Sequence, residues 1–248
     1  MMFKDDKEYY SDRTHLTNSS LKLIRQSPKK FSLWLAGVIN EEPSDALQQG
    51  SALHALVLEN KKIFIGYEGR RAGVKYDEFL SEDRDELFVF TKKDEKLIHD
   101  MHNALYNCNE AHELLFDKSY PAQNEIAGTK NIEGIWMKGK ADRIIENNNL
   151  RIGVDLKTTG GDISEFSRSA KFYDYDMQSA VYSEIFDLDG FIFVVVSKKW
   201  PYEIGIFECS DEFTYAGRQK MLGAINLYKE LFIDENYNPS NASYVGQL

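Results

Sequence analysis

The chain has 248 residues, with 42% apolar and 28% charged side chains and a formal net charge of −10. This is the composition of a folded globular protein with a full apolar core, and the acidity argues against a general nucleic-acid coating protein, which would be basic. No apolar run reaches the roughly 18 residues of a membrane-spanning helix, and two cysteines, Cys108 and Cys209, are too few for a disulfide framework or a four-cysteine metal site.

The opening "MMFKDDKEYYSDR" has no signal-peptide core, and with so few cysteines the expected compartment is a reducing cytosol. Small polar residues Thr17 to Ser20 then precede Leu21 and Ile24 and, after Pro28, Phe31, Trp34 and Leu35 at helical spacing. Asp45 to Asn60 reads as a second helical stretch, with Leu47, Leu53, Leu56 and Val57 on one side. Residues 61–90, bearing Gly66, Gly69 and Gly73, read as a loop-rich insertion, in which Arg70 and Arg71 are weighed as phosphate contacts against a solvated loop. Lys92 to Phe116 reads as one long amphipathic helix.

From Tyr120 the period changes to that of strands. Tyr120–Thr129, Glu133–Glu146 and Leu150–Thr159 are expected as an antiparallel meander, with turns at "KN" and "NNN". Helices follow at about Ile163–Lys171 and Asp174–Phe186, then strands at "FIFVVVSKKW" and Tyr202–Ser210, and a helix from about Glu212 to Phe232. The expected architecture is an α/β fold: a helical N-terminal part at about 16–116, a core with a mixed central sheet flanked by helices at about 117–232, and a flexible tail at 233–248, all in one domain.

The chemistry concentrates in "KGKADRI" and "GVDLKT". On a strand, Asp155 and Lys157 share a face and Leu156 takes the other. Asp142 precedes them by one hairpin, so the two carboxylates can come close. Close carboxylates repel unless a cation lies between them, and oxygen ligands suit Mg²⁺ or Mn²⁺. Lys157 would then stand beside the metal, able to orient a water or to neutralise charge on a phosphoryl oxygen. The competing reading is a surface ion pair on a solvated strand, which is how most D-x-K tripeptides are used.

Four stretches in order, "GSALHALVLE", "KGKADRI", "GVDLKTT" and "DYDMQSAVYSEIF", together with the opening "LTNSSLKLIRQSPKKF", carry a resemblance. The chain resembles the RecB-like exonucleases of the PD-(D/E)xK superfamily, nearest the RecE or exodeoxyribonuclease VIII group, from about Leu16 to Leu231. The resemblance implies a restriction-endonuclease-like core. It also implies that His54, Asp142, Asp155 and the Leu156 carbonyl serve a metal, with Glu125 as a further acidic ligand. Lys157 is the implied catalytic lysine, and Gln178 and Tyr182 form the "Q-x-x-x-Y" pair that would hold the DNA end. Lys138 and Lys140 are candidate phosphate contacts without support from the resemblance. The implied activity is Mg²⁺-dependent 5′-to-3′ digestion of linear duplex DNA in phage-type or recombinational processing, in a bacterial or phage-infected cytosol. The implied partners are a single-strand annealing protein and further copies of the chain. The iron–sulfur branch of these nucleases needs four cysteines and is excluded. An endonuclease or branched-DNA repair nuclease, and a non-catalytic DNA-end binder retaining the fold, are the alternatives. The aromatic group Phe166, Phe172, Tyr173 and Tyr175 reads as packing, with base stacking by one ring as the alternative.

Overall fold

The computed structural model describes residues 3–39, 44–59, 64–67, 69, 73–81, 88–234 and 236–238. Arg70, Arg71 and residues 239–248 of the expected tail lie outside the described residues. Among the described residues no helix is long and apolar enough to cross a membrane.

The N-terminal part is helical: α1 (Asp6–Ser11), α2 (Asn18–Gln26), α3 (Pro28–Leu35) and α4 (Asp45–Leu58). Local chemistry sets these boundaries. Thr17 and Ser20 cap α2 reciprocally, each side chain accepting from the other's backbone N–H. Ser27 caps α3, and Pro28 occupies its first turn, where the missing N–H costs nothing. The stretch expected to be loop-rich contains a helix, α5 (Val74–Ser81), and two short strands, β1 (Phe64–Gly66) and β2 (Phe88–Phe90), paired in parallel. The single long helix expected at Lys92–Phe116 is two, α6 (Lys92–Asn107) and α7 (Asn109–Leu115). Cys108 separates them in an extended conformation, at the end of one helix and the start of the next. Its neighbours Asn107 and Asn109 are poor helix formers, so the pattern of apolar spacing outlasts the helix itself.

The core is a five-stranded mixed sheet in the order β3 (Ala122–Ile132), β4 (Ile135–Asn147), β5 (Leu150–Thr159), β6 (Gly190–Ser197), β7 (Ile204–Glu208). β3, β4 and β5 form the expected antiparallel meander, β5 and β6 are parallel, and β7 runs antiparallel to β6. The parallel step requires a crossover, provided by α8 (Phe166–Phe172) and α9 (Tyr175–Phe186). The first hairpin turns at Glu133 and Gly134, with φ +52° and +83°, and not at Lys130–Asn131, which remain in β3. The second turns at Asn148 and Asn149, with φ +49° and +68°. Two left-handed residues in succession make the tight turn whose twist matches that of the strands, and Gly and Asn tolerate that region best.

Helices cover both faces. On one, α2, α3, α9 and α10 (Asp211–Tyr228) contribute Leu21, Ile24, Phe31, Met177, Val181 and Met221 to a buried cluster with Met137 and Ile144 of β4. On the other, α4 and α6 contribute Leu53, Ile98, Met101 and Leu105 against Val154, Leu156, Val194 and Val196. The period-two reading of β5 holds: Leu156 enters this second cluster, and Asp155 and Lys157 face away from it. α9 and α10 pack so closely that a Cβ on Gly217 would lie 1.8 Å from the Asp176 carbonyl oxygen.

Candidate active site

The site forms where the sheet comes apart. β4 and β5 are laddered from Asn147–Leu150 to Arg143–Val154 and no further. Asp142 and Asp155 are the next residues in that register, and here the ladder gives way to a side chain: the Leu156 N–H donates to Asp142 Oδ2 at 2.8 Å. On the other flank of β4, Glu125 lies opposite Asp142 in the β3 register but takes a left-handed φ of +53° and drops out of the pairing. A non-glycine residue in that region is strained unless its surroundings hold it. Asn124 provides the hold: its amide donates to Leu58 O at 2.6 Å, and its Oδ1 accepts from Arg143 at 2.8 Å. Further along, the edge of β4 released by β5 is taken up by Leu16, which exchanges backbone hydrogen bonds with Trp136 O and Lys138 N. The parting strands open a cleft of about 1200 Å³.

One wall of the cleft is acidic. His54 of α4, Glu125 of β3 and Asp142 of β4 bring one potential ligand atom each to within 4.8 Å of one another. His54 Nδ1 stands 3.3 Å from Asp142 Oδ2, and its Nε2 is 2.6 Å from the Leu156 carbonyl oxygen. Burial alone would lower the imidazole pKa, but the Asp142 carboxylate outweighs it and raises the value to about 9. Both ring nitrogens then carry protons, and the imidazolium serves as the cation between Asp142 and the Leu156 carbonyl. Asp142 is correspondingly held below the usual carboxylate range: burial opposes ionisation, and His54, Lys157 and the Leu156 N–H favour it more strongly. Burial raises the Glu125 carboxyl, although Lys140 pairs with it at 2.9 Å.

A second wall, adjoining the first across the β4–β5 register, is internally neutralised. Asp155 is 1% exposed. It accepts from the Gln178 amide at 2.6 Å and is in ion-pair contact with Lys157. Burial is the main cause that raises its pKa to about 6; Lys157 opposes this and the charge of Asp142 adds to it. Lys157 keeps its proton: burial disfavours the ammonium, but Asp155 and Asp142 together raise its pKa. Its Nζ lies 5.3 Å from the Tyr175 ring centroid. Tyr182, one turn beyond Gln178 on α9, lines the cleft and packs on Gly139, Phe186 and Phe191. Burial pushes its phenol well above the ordinary value.

Among the described residues, the group that could hold a metal ion is His54, Glu125 and Asp142. Asp155, expected in the same set, contacts Lys157 and Gln178. Lys138 is not available to a phosphate: it is buried, donating to the carbonyls of Tyr9 and Asp12 and paired with the Asp12 carboxylate at 3.1 Å. Lys140 is shared between Glu125 and Asp6. In the aromatic group, Phe166 is buried and Tyr175 underlies Lys157, whereas Phe172 and Tyr173 are exposed. Sequence patterning missed α1, which brings Asp6, Tyr9 and Tyr10 to the cleft, and it missed Lys22 of α2, also on the cleft wall. A six-residue helix is too short to show periodicity. Lys22 reads in sequence as an ordinary solvent-facing position between Leu21 and Leu23.

The family model described as "PDDEXK-like domain of unknown function (DUF3799)" matches residues 17–243. The chain belongs to this family. Among solved structures, it is similar to a candidate exonuclease from Eubacterium rectale at TM-score 0.67 and 15% identity, covering 100% of this chain and 97% of that one. It is also similar, at TM-score 0.39 and 17% identity, to a phage-related exonuclease from Haemophilus somnus 129PT, over 90% of this chain and 96% of that one. No curated protein matches its sequence. The mixed five-stranded sheet flanked by helices is the restriction-endonuclease-like α/β fold, and the chain is a PD-(D/E)xK-like domain. Nucleases of this superfamily use divalent metals. The donor set here fits one: two carboxylates and an imidazole converge, with a backbone carbonyl beside them.

Proposed function

We propose that this protein is a divalent-metal-dependent DNA exonuclease that hydrolyses phosphodiester bonds from the ends of linear duplex DNA, in the 5′-to-3′ direction. The observation that carries the reading is the convergence of His54, Glu125 and Asp142 in a cleft that presents Asp155 and protonated Lys157 beside them. Three acidic groups around one opening are costly unless a cation joins them.

His54, Glu125 and Asp142 would hold Mg²⁺ or Mn²⁺, with the Leu156 carbonyl and Asp155 as further oxygen donors. When bound, the ion supplies Lewis acidity at the phosphoryl oxygen and a water of lowered pKa. Lys157 offers a fixed positive charge to the phosphoryl oxygens as they gain charge. Gln178 acts through Asp155, holding the carboxylate so that one oxygen faces Lys157 and the cleft; it is a positioning residue. Tyr182 closes the floor of the cleft behind the phosphate. Recombinational DNA processing in a bacterial or phage-infected cytosol, a single-strand annealing partner and assembly with further copies of the chain complete the proposal.

The test is digestion of an end-labelled linear duplex beside the same DNA as a closed circle, with Mg²⁺ and with EDTA. Metal-dependent loss of the linear form with the circle intact is the expected result. Equal attack on the circle would make the protein an endonuclease. No cleavage of either would reduce it to an end-binding protein.

A further inference from the structure

We propose that Lys22 is a second phosphate-binding group of the cleft, holding a phosphodiester of the bound strand beside the one presented to Lys157. This rests on the nuclease reading above and adds to it a substrate contact outside the acidic motifs.

Lys22 has a rigid root. Leu21 and Ile24, on either side of it in α2, are fully buried, and the helix start is fixed by its reciprocal cap. The side chain lines the same cleft as Asp155 and Lys157. Its Nζ lies 5.4 Å from the centroid of the Tyr175 ring, the ring that Lys157 Nζ approaches to 5.3 Å. Two ammonium groups therefore share one aromatic side chain.

Their partners differ. Lys157 has Asp155. The acids nearest in effect to Lys22 are taken by other cations: Asp174 by Arg25 and Lys220, Asp176 by Lys220, and Asp155 by Lys157. Among the described residues, no carboxylate lies within ion-pair distance of Lys22. Burial and the like charge of Lys157 bring its pKa down to about 8. Among the described residues, a chain with net charge −10 thus keeps a cation on the wall of its cleft with no carboxylate in ion-pair contact. A phosphate oxygen seated between Lys22 and Lys157 would relieve their repulsion and gain a charge-assisted hydrogen bond. The competing explanation is that Lys22 only covers the Tyr175 ring with its stem and head.

Lys22→Met keeps the stem and removes the charge; Lys22→Arg keeps the charge. Affinity for a short duplex is measured in Ca²⁺ over a series of salt concentrations, and kcat and KM in Mg²⁺. For the Met variant, KM is expected to rise about tenfold with kcat little changed. The slope of log affinity against log salt should fall by about one relative to wild type. The Arg variant should restore both. A role confined to covering Tyr175 would lower the melting temperature and leave the salt slope unmoved, and that result overturns the proposal. Weaker inhibition by dAMP with duplex affinity unchanged would place a free nucleotide phosphate at Lys22 and likewise overturns it. Should Lys22→Met not fold, Lys22→Gln is read by the same slope. Wild-type protein that neither binds nor cuts DNA overturns the nuclease reading together with this one. Wild-type cleavage with an unmoved slope in the variants overturns the Lys22 assignment alone.

Discussion

His54, Glu125 and Asp142 reach one wall of the cleft from α4, β3 and β4, whereas Asp155, Lys157 and Gln178 reach the other from β5 and α9. Both walls hold carboxylates, half-buried on the first and fully buried on the second, and they are satisfied differently. Asp142 relies on an imidazolium, a backbone N–H and the charge of Lys157. Asp155 has a dedicated lysine and a dedicated amide. The acidic wall can therefore exchange a proton for a metal ion, since a histidine must shed its proton to become a ligand. The lysine wall already carries its own cation, Lys157, beside Asp155. Metal should act chiefly on the first wall, pH should act on both, through His54 near 9 and Asp155 near 6, and loss of Lys157 should stop turnover while metal binding survives.

Asp142→Ala should produce the largest change. It removes a proposed ligand, leaves the His54 imidazolium without its carboxylate and frees the Leu156 N–H. Nuclease activity should vanish, and stability in EDTA should fall by about 1–3 kcal/mol, the cost of leaving the partners of a half-buried pair unsatisfied. Denaturant unfolding measures the second effect, and a variant as stable as wild type would mean that the acidic wall is not held as described. Lys157→Ala should sharpen the contrast, with kcat reduced roughly 10²–10³-fold and Mg²⁺ affinity by calorimetry nearly unchanged. A large loss of metal affinity would merge the two walls into one.

Gly217→Ala attacks the support of the lysine wall alone. The added methyl would collide with the backbone of Asp176, two residues before Gln178. Shifting α9 should destabilise the fold by about 1–3 kcal/mol and loosen the hold on Asp155, with Mg²⁺ affinity less affected than kcat. Metal affinity falling in step with kcat would argue against separate supports.

His54→Gln tests the smallest effect. The folded-state pKa of His54, about 9, exceeds its ordinary 6.5. Its contribution to stability is therefore complete below the lower value and is lost as pH rises through the upper one. In EDTA the wild type should exceed the variant by about 1–2 kcal/mol at the acid end of this window, and the difference should close by the alkaline end. A gap that widened with pH would reverse the assigned charge.

The two walls were unequally legible in the sequence. Asp155, Leu156 and Lys157 follow the alternation of a strand, so their faces could be read directly. Asp142 followed from the hairpin, but His54, Gln178 and Tyr182 came through resemblance, because their meeting with it depends on three separate elements. The left-handed backbone of Glu125 has no local signal: no glycine or asparagine stands at that position, and Asn124 and Arg143 hold it from outside the residue. The same limit explains the break at Cys108, where apolar spacing continues through α7. Lys138, a candidate phosphate contact in the sequence, is enclosed instead because the acid and the two carbonyls around it come from the first twelve residues, far away in the chain.

Leu16 has a role beyond filling space. By bonding to the edge of β4 that β5 abandons, it covers backbone groups that would otherwise offer a docking line to another strand. The separation that makes room for catalysis thus creates a potential point of self-association, and a short piece of the N-terminal segment guards it. A chain trimmed to begin after Leu16 would retain every residue of the two walls but would bare that edge, and it should form sheet-to-sheet aggregates that the longer chain avoids.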